Sequence, residues 1–198
     1  MASQQQSSTT PPELRDRLQT PRFIFDYFNE LLSFDVDVCA EDAIAAKCPV
    51  FITPEIDGLS TDWCMFGERA WCNPPYSEQA LWIYTAQNNA CDGMMVAMLL
   101  PSFNGQSYWE FVFSRATKII NIVGRIPFEA PEAFTKKVKV KRASGPVIKE
   151  VQIKKGDPIP GNTGGSCIVI FGKIPPGITL PDWVHRDDMV AASKDFML

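Results

Sequence analysis

Histidine is almost absent: His185 stands alone among 198 residues, and the six cysteines (39, 48, 64, 72, 91 and 167) include no Cys-x-x-Cys pair. Zinc centres need thiolates or imidazoles at regular spacing, so no metal site is expected. The same scatter offers no disulfide framework. The expected setting is a reducing intracellular compartment, either the cytoplasm of a bacterial or phage host or a eukaryotic nucleus. No apolar stretch approaches the roughly 20 residues that span a bilayer. The opening, MASQQQSSTTPP, carries no hydrophobic signal region, so no membrane partner is expected. Internal repeats are missing. An excess of positive charge is missing too, and the net charge of −4 argues against a general nucleic-acid binder.

What is present is an ordinary globular composition, 45% hydrophobic and 21% charged, in a chain long enough for one cored domain. The polar opening reads as a disordered tail over residues 1–17, before a domain at 18–175 and an extension at 176–198 that is not diagnostic. Thr20 and Pro21 suit a helix start, and Phe23, Tyr27 and Leu31 recur at helical spacing. Short strands are expected at 34–40, 49–53 and 69–72, then a helix from Ser77 to about Ala90. Met94–Leu100 is a continuous apolar run closed by Pro101, which suits a central strand covered on both faces. A helix near 106–113 and strands at 118–123 and 167–171 continue the alternation. Such alternation implies an α/β fold with a mostly parallel central sheet, with ligands at the carboxyl ends of its strands.

One region interrupts the pattern. Residues 130–160 carry eight basic side chains against three acidic ones, a net of +5, which leaves −9 for the rest. Two alternating segments flank Ala143-Ser144-Gly145-Pro146, a good hairpin turn. A basic two-stranded arm inserted at about 130–160 is the expectation. Lys136, Lys137, Lys139, Lys141 and Arg142, with Arg125 nearby, become candidate DNA contacts. A solvated hairpin whose charges protect its edge is the plainer alternative.

The most informative segment is Trp71-Cys72-Asn73-Pro74-Pro75-Tyr76. The lone pair of an aromatic exocyclic amine is delocalised into its ring and attacks poorly. An Asn side-chain oxygen and the carbonyl of the next proline can accept both amine hydrogens and push the nitrogen towards a pyramidal, nucleophilic state. Two prolines fix φ and stiffen the corner. Tyr76 then offers a flat face on which a base can stack. A Pro-Pro turn capped by asparagine, with no chemistry, has the same spelling.

In order along the chain stand Thr20-Pro21, Asp35-Val36-Asp37-Val38-Cys39-Ala40, Ala46-Lys47-Cys48-Pro49, Phe51-Ile52-Thr53, Asp57-Gly58-Leu59 and Asp62-Trp63. Trp71–Tyr76, Leu99-Leu100-Pro101, Gly124–Phe128 and Ile168–Phe171 follow. This series, over roughly residues 18–172, resembles the phage-type Dam DNA N6-adenine methyltransferases. The resemblance implies a class I S-adenosylmethionine-dependent methyltransferase, a Rossmann-like sheet carrying the basic hairpin. It implies Asn73, Pro74, Pro75 and Tyr76 as the catalytic corner, and Thr20, Asp37, Cys39, Ala40, Asp57 and Asn73 as contacts to S-adenosylmethionine. The partner would be double-stranded DNA with the target adenine flipped out, and the amine would attack the methyl directly in line. The glycine-rich loop usual after the first strand of this fold is replaced by Cys39-Ala40-Glu41. Cys72 precedes the asparagine and belongs to the strand, so it is not expected to act as a nucleophile. An RNA adenine or protein glutamine N-methyltransferase would share the tetrapeptide. A silent nucleic-acid-binding subunit of the same fold would not need it.

Overall fold

A computed structural model describes residues 10–103, 105–142, 145–160 and 164–195. Three short strands and two longer ones come first in the main sheet: β1 (Val36–Asp37), β2 (Val50–Phe51), β3 (Arg69–Cys72), β4 (Met95–Pro101) and β5 (Lys118–Val123). Later come β6 (Phe134–Arg142), β7 (Gly145–Ile153), β8 (Ser166–Phe171) and β9 (Trp183–His185). Helices α1 (Pro12–Arg15), α2 (Arg22–Leu32), α3 (Gln79–Cys91), α4 (Tyr108–Arg115) and α5 (Arg186–Asp195) alternate with them. Seven strands form one sheet in the order β2-β1-β3-β4-β8-β5-β9, while β6 and β7 pair only with each other. Pairing is parallel except on the two sides of β8, which runs antiparallel to β4 and β5.

Period-two alternation sorts the central strands onto two cores. Val96, Met98 and Leu100 of β4 face Trp82, Ile83 and Ala86 of α3 and Trp109 and Val112 of α4. Met95, Ala97 and Leu99 face Ile24, Phe25, Phe28 and Leu32 of α2 and Met189 of α5. With both faces covered, the apolar run has no polar alternation to show. Each of these fully buried large side chains contributes about 1.5–3 kcal/mol. A third, smaller cluster of Ala130, Ile153 and Ile159 sits at the root of the β6–β7 hairpin.

Two boundaries differ from the expectation. Residues 12–15 are helical rather than part of a loose tail, because Leu14 is buried and Asp16 Oδ1 accepts the Ser77 N–H at 2.9 Å. Residues 1–9 of that tail lie outside the described set. The extension beyond 176 belongs to the domain: β9 adds a parallel edge to β5, and Met189 is wholly buried. Its apolar residues are too few to show a period by themselves. In the β6–β7 ladder Phe134 pairs with Ile153 and Arg142 with Gly145, while the expected turn residues Ala143 and Ser144 lie outside the described set. Among the described residues no helix is long and apolar enough to cross a membrane, and no group of three His, Cys, Asp or Glu could hold a metal.

Because β8 is antiparallel, its first residue lies beside the last residues of β4 and β5: Ser166 pairs with Pro101 and with Ile122. The chain from 124 to 165 therefore leaves and re-enters at the carboxyl edge of the parallel strands. That is the edge where the loops after β1 and β3 also emerge.

Candidate functional site

Two cavities open at this edge. The larger, of about 280 Å³, lies over the ends of β1 and β3. Val38, Cys39 and Ala40 follow β1 into its wall, Asn73 and Pro75 follow β3, and Leu18, Gln19 and Thr20 close it from the amino-terminal segment. The smaller, of about 110 Å³, is bounded by Tyr76, Phe128, Pro101, Leu18, Ile159 and Lys136, among others. Leu18 lines both.

Asn73 lines the larger cavity, and its orientation is fixed. Its Nδ2 donates to the Leu18 carbonyl at 3.0 Å, so the amide cannot flip without setting oxygen against oxygen. Its Oδ1 is buried and has no hydrogen-bond partner among the described residues. An orphaned buried acceptor costs about 1–3 kcal/mol and is uncommon in a folded protein. Three more orphans line the same larger cavity: Gln19 Nε2, Thr20 Oγ1 and Trp82 Nε1. Four unpaired polar atoms around one hollow fit a polar ligand that supplies both donors and acceptors.

Thr20 is 2% exposed, and its hydroxyl makes no cap bond to α2, where Pro21 takes the cap position instead. The expected cap role is thus replaced by a hydroxyl left to the cavity. Asp37 is 4% exposed and lines the wall, and its two oxygens accept the N–H groups of Cys39 at 3.2 Å and Lys47 at 2.9 Å. These bonds shape the loop after β1 where a glycine-rich turn would otherwise stand. Burial pushes the Asp37 carboxyl up to about 6. Asp57, expected as a ligand contact, is a turn residue outside the cavity wall. Its φ is +61°, and its carboxylate accepts from Leu59 N–H and Ser60 Oγ. The neighbouring Gly58 takes the wall position instead, where a Cβ would come within 2.8 Å of both the Trp82 ring and the Val38 carbonyl.

Tyr76 faces the smaller cavity, edge-on to Phe128 with ring centroids 6.1 Å apart. Burial raises its phenol well above the ordinary value, so it stays neutral. Pro74 is buried and Pro75 half-buried, and the Pro75 carbonyl accepts the Glu78 N–H as α3 begins. Cys72 is wholly buried, and burial holds its thiol protonated far above the usual range; it is no nucleophile.

The basic candidates divide. Arg125 is exposed on the loop after β5, beside Gly165 at the rim of the smaller cavity. Lys137 is exposed, with Glu150 across the ladder at 3.8 Å. Lys139, Lys141 and Arg142 lie on β6, their side chains outside the described set. Lys136 is not a surface contact: it is 4% exposed, and burial lowers its pKa. On β6 it shares a face with Phe134 and Val138, which turns it inward over the small third core.

Several wall residues went unread in the sequence. Trp82 has the helical spacing of a core residue and packs like one on Trp63; nothing in the spelling marks its indole N–H. Gln19 adjoins Thr20-Pro21, and that adjacency was the one signal for it. Arg17 bridges Glu41 and Glu132 at 2.6 and 2.8 Å and ties the cavity loop to the hairpin root. Only three-dimensional proximity reveals it.

The family described as DNA N-6-adenine-methyltransferase (Dam) matches residues 7–195 of the chain. A DNA N-6-adenine-methyltransferase of Haemophilus phage HP1 is 31% identical over 125 residues, 61% of this chain and 70% of that protein. Another of the same name, from Escherichia phage T1, is 24% identical over 172 residues, 86% of this chain and 68% of that protein. Among solved structures, a precorrin 8W decarboxylase from Methanobacterium thermoautotrophicum aligns over 79% of this chain and 94% of its own. Its TM-score is 0.36 at 8% identity, too slight a likeness to bear on fold or function.

Proposed function

Because the chain belongs to the Dam family of DNA N-6-adenine-methyltransferases, we propose that it methylates the N6 amine of a flipped-out adenine held in the smaller cavity, with S-adenosylmethionine in the larger. The observation that carries this reading is the orphaned Asn73 Oδ1, buried in a residue that lines the larger hollow, three positions before Tyr76 in the wall of the smaller. An acceptor with no internal partner is what an incoming NH₂ group requires.

Asn73 Oδ1 takes one amine hydrogen and the Pro74 carbonyl the other, which localises the nitrogen lone pair. Tyr76 offers the ring a stacking face, and Phe128, edge-on to Tyr76, helps keep water from it. Leu18, through its carbonyl, holds the Asn73 amide in the accepting orientation. Gln19, Thr20 and Trp82 would hold the cofactor through their unpaired polar atoms, with the loop that Asp37 organises beside them. When bound, S-adenosylmethionine supplies an electrophilic methyl on a sulfonium. Positioning contributes most of the acceleration, since a bimolecular encounter becomes an intramolecular one. The class I, Rossmann-like assignment belongs to the same reading, with ligands at the carboxyl ends of parallel strands.

The β6–β7 hairpin rises from the same edge, and we assign it to the duplex backbone. Neutralising Lys137, Lys139 and Lys141 together is expected to flatten the dependence of affinity on salt by about 0.9 per lost phosphate contact. An unchanged slope would remove the arm from the interface. The decisive test of function is incubation with labelled S-adenosylmethionine and unmethylated DNA, followed by nucleoside mass spectrometry. N6-methyladenine is the expected product. Label in RNA, in protein glutamine, or nowhere would overturn the assignment.

A further inference from the structure

The smaller cavity contains one cation and, among the described residues, no carboxylate within ion-pair distance of it. Lys136 Nζ donates to Thr10 Oγ1 at 3.0 Å and to the Pro160 carbonyl at 2.7 Å. An ammonium carries three hydrogens, so these bonds leave one. Desolvated cations without a counter-ion are costly, and burial has already lowered the Lys136 pKa. Bridging Thr10 to Pro160 needs only a neutral donor, so clamping alone does not account for a charge at this place. Apart from Thr10 and the Gly164–Ser166 segment, the walls (Tyr76, Phe128, Leu18, Pro101 and Ile159) present flat or apolar surface. Such a chamber grips a ring by its faces but leaves it free to turn in its own plane. One strong donor in the wall would stop that rotation.

On the reading of this cavity as the adenine seat, we propose that Lys136 donates its third hydrogen to a ring nitrogen of the target base. Adenine offers lone pairs at N1, N3 and N7, while its amine is held at Asn73. Two polar anchors at separate points of a flat ring fix its in-plane angle, and so aim the N6 lone pair. The same arrangement selects against cytosine. Cytosine also has an exocyclic amine for Asn73 to receive, but its single ring, anchored there, reaches less far into the chamber than a purine. The acceptor tetrapeptide alone does not make that distinction.

The test begins by mapping where the wild-type protein deposits N6-methyladenine on an unmodified duplex. The target adenine is then replaced by 1-deaza-, 3-deaza- or 7-deazaadenine, each lacking one ring acceptor. One of the three is expected to lower wild-type kcat/KM roughly 10- to 100-fold relative to the other two. Lys136→Met should show a comparable loss on ordinary adenine and no further loss on that one analogue. Thr10→Val, which removes a clamp partner and keeps the ammonium, should retain the wild-type ranking of analogues. A wild-type protein equally active on all three analogues would overturn the contact, whatever the folding of the variants. So would a folded Lys136→Met that ranks them as wild type does. If the wild type yields no N6-methyladenine on the unmodified duplex, the functional reading itself fails, and Lys136 falls with it.

Discussion

The two cavities share Leu18 and lie at the two ends of the Asn73–Tyr76 corner, yet they differ in what they leave unpaired. The larger is ringed by buried polar atoms with no internal partners, whereas the smaller is walled by rings and apolar side chains around a single ammonium. The first spends stability on directional bonds that only a ligand can complete. The second relies on contact area, which tolerates an occupant that arrives and leaves. On the proposed reading the difference matches two occupants: a small polar molecule held by hydrogen bonds, and a base held by apolar contact.

Asn73→Ala removes the proposed amine acceptor, so its effect should be largest. Methyl transfer should fall by roughly a thousandfold, a loss of the size seen when a preorganised polar group is removed. The thermal midpoint should fall only slightly, because losing the unpaired oxygen offsets part of the lost Nδ2 bond to the Leu18 carbonyl. A variant within tenfold of wild type would make that oxygen a bystander. Tyr76→Ala should damage only the smaller cavity. Loss of one stacking surface should cost roughly 10- to 100-fold in kcat/KM for DNA, with cofactor affinity by calorimetry unchanged. If cofactor affinity falls equally, the two hollows are not separate sites.

Asp37 tests the larger cavity through pH. Its carboxyl holds a proton up to about pH 6 when folded, against an ordinary value of 3.8. The folded chain therefore binds a proton that the unfolded chain releases between those values. Its stabilising contribution is full below 3.8 and is lost as pH rises through about 6, by at most about 3 kcal/mol. Thermal midpoints of the ligand-free protein from pH 4 to 7 should fall by more in wild type than in Asp37→Asn. Parallel curves would remove the carboxyl from this role. The smallest effect is expected from Thr20→Val, which should weaken cofactor binding roughly fivefold through one lost hydrogen bond. Kinetics in DNA should stay intact at saturating cofactor, and an unchanged cofactor Kd would show that the hydroxyl faces nothing.

How much of the fold and site was legible in the sequence depended on how local the cause was. Asn73-Pro74-Pro75 could be read because its chemistry lies in consecutive residues. Asp37 and Cys39 could be read because a strand end places its followers at a sheet edge. Asp57 misled because Asp-Gly spells a turn and a ligand pair alike, and left-handed φ made it the turn. Trp82 stayed hidden because an indole packed by its face and an indole aimed by its N–H have the same helical spacing. Lys136 looked like its basic neighbours in a charge count. Period-two alternation with Phe134 and Val138 sets it apart, and that signal lies in the spelling itself. The antiparallel course of β8 has no such mark. Strand direction follows from the return path of a 42-residue excursion between Val123 and Ser166 rather than from the strand.

That return path has a consequence for how such proteins diversify. An excursion that exits and re-enters at one rim can be lengthened, shortened or exchanged without rethreading the layers beneath, at an entropic cost that grows only slowly with length. The β6–β7 arm is in this sense a cassette plugged into a fixed socket. Exchanging only the part of the hairpin beyond Lys136 and Val151 would change what the arm presents and spare Phe128, Lys136 and Ile159, which line the smaller cavity.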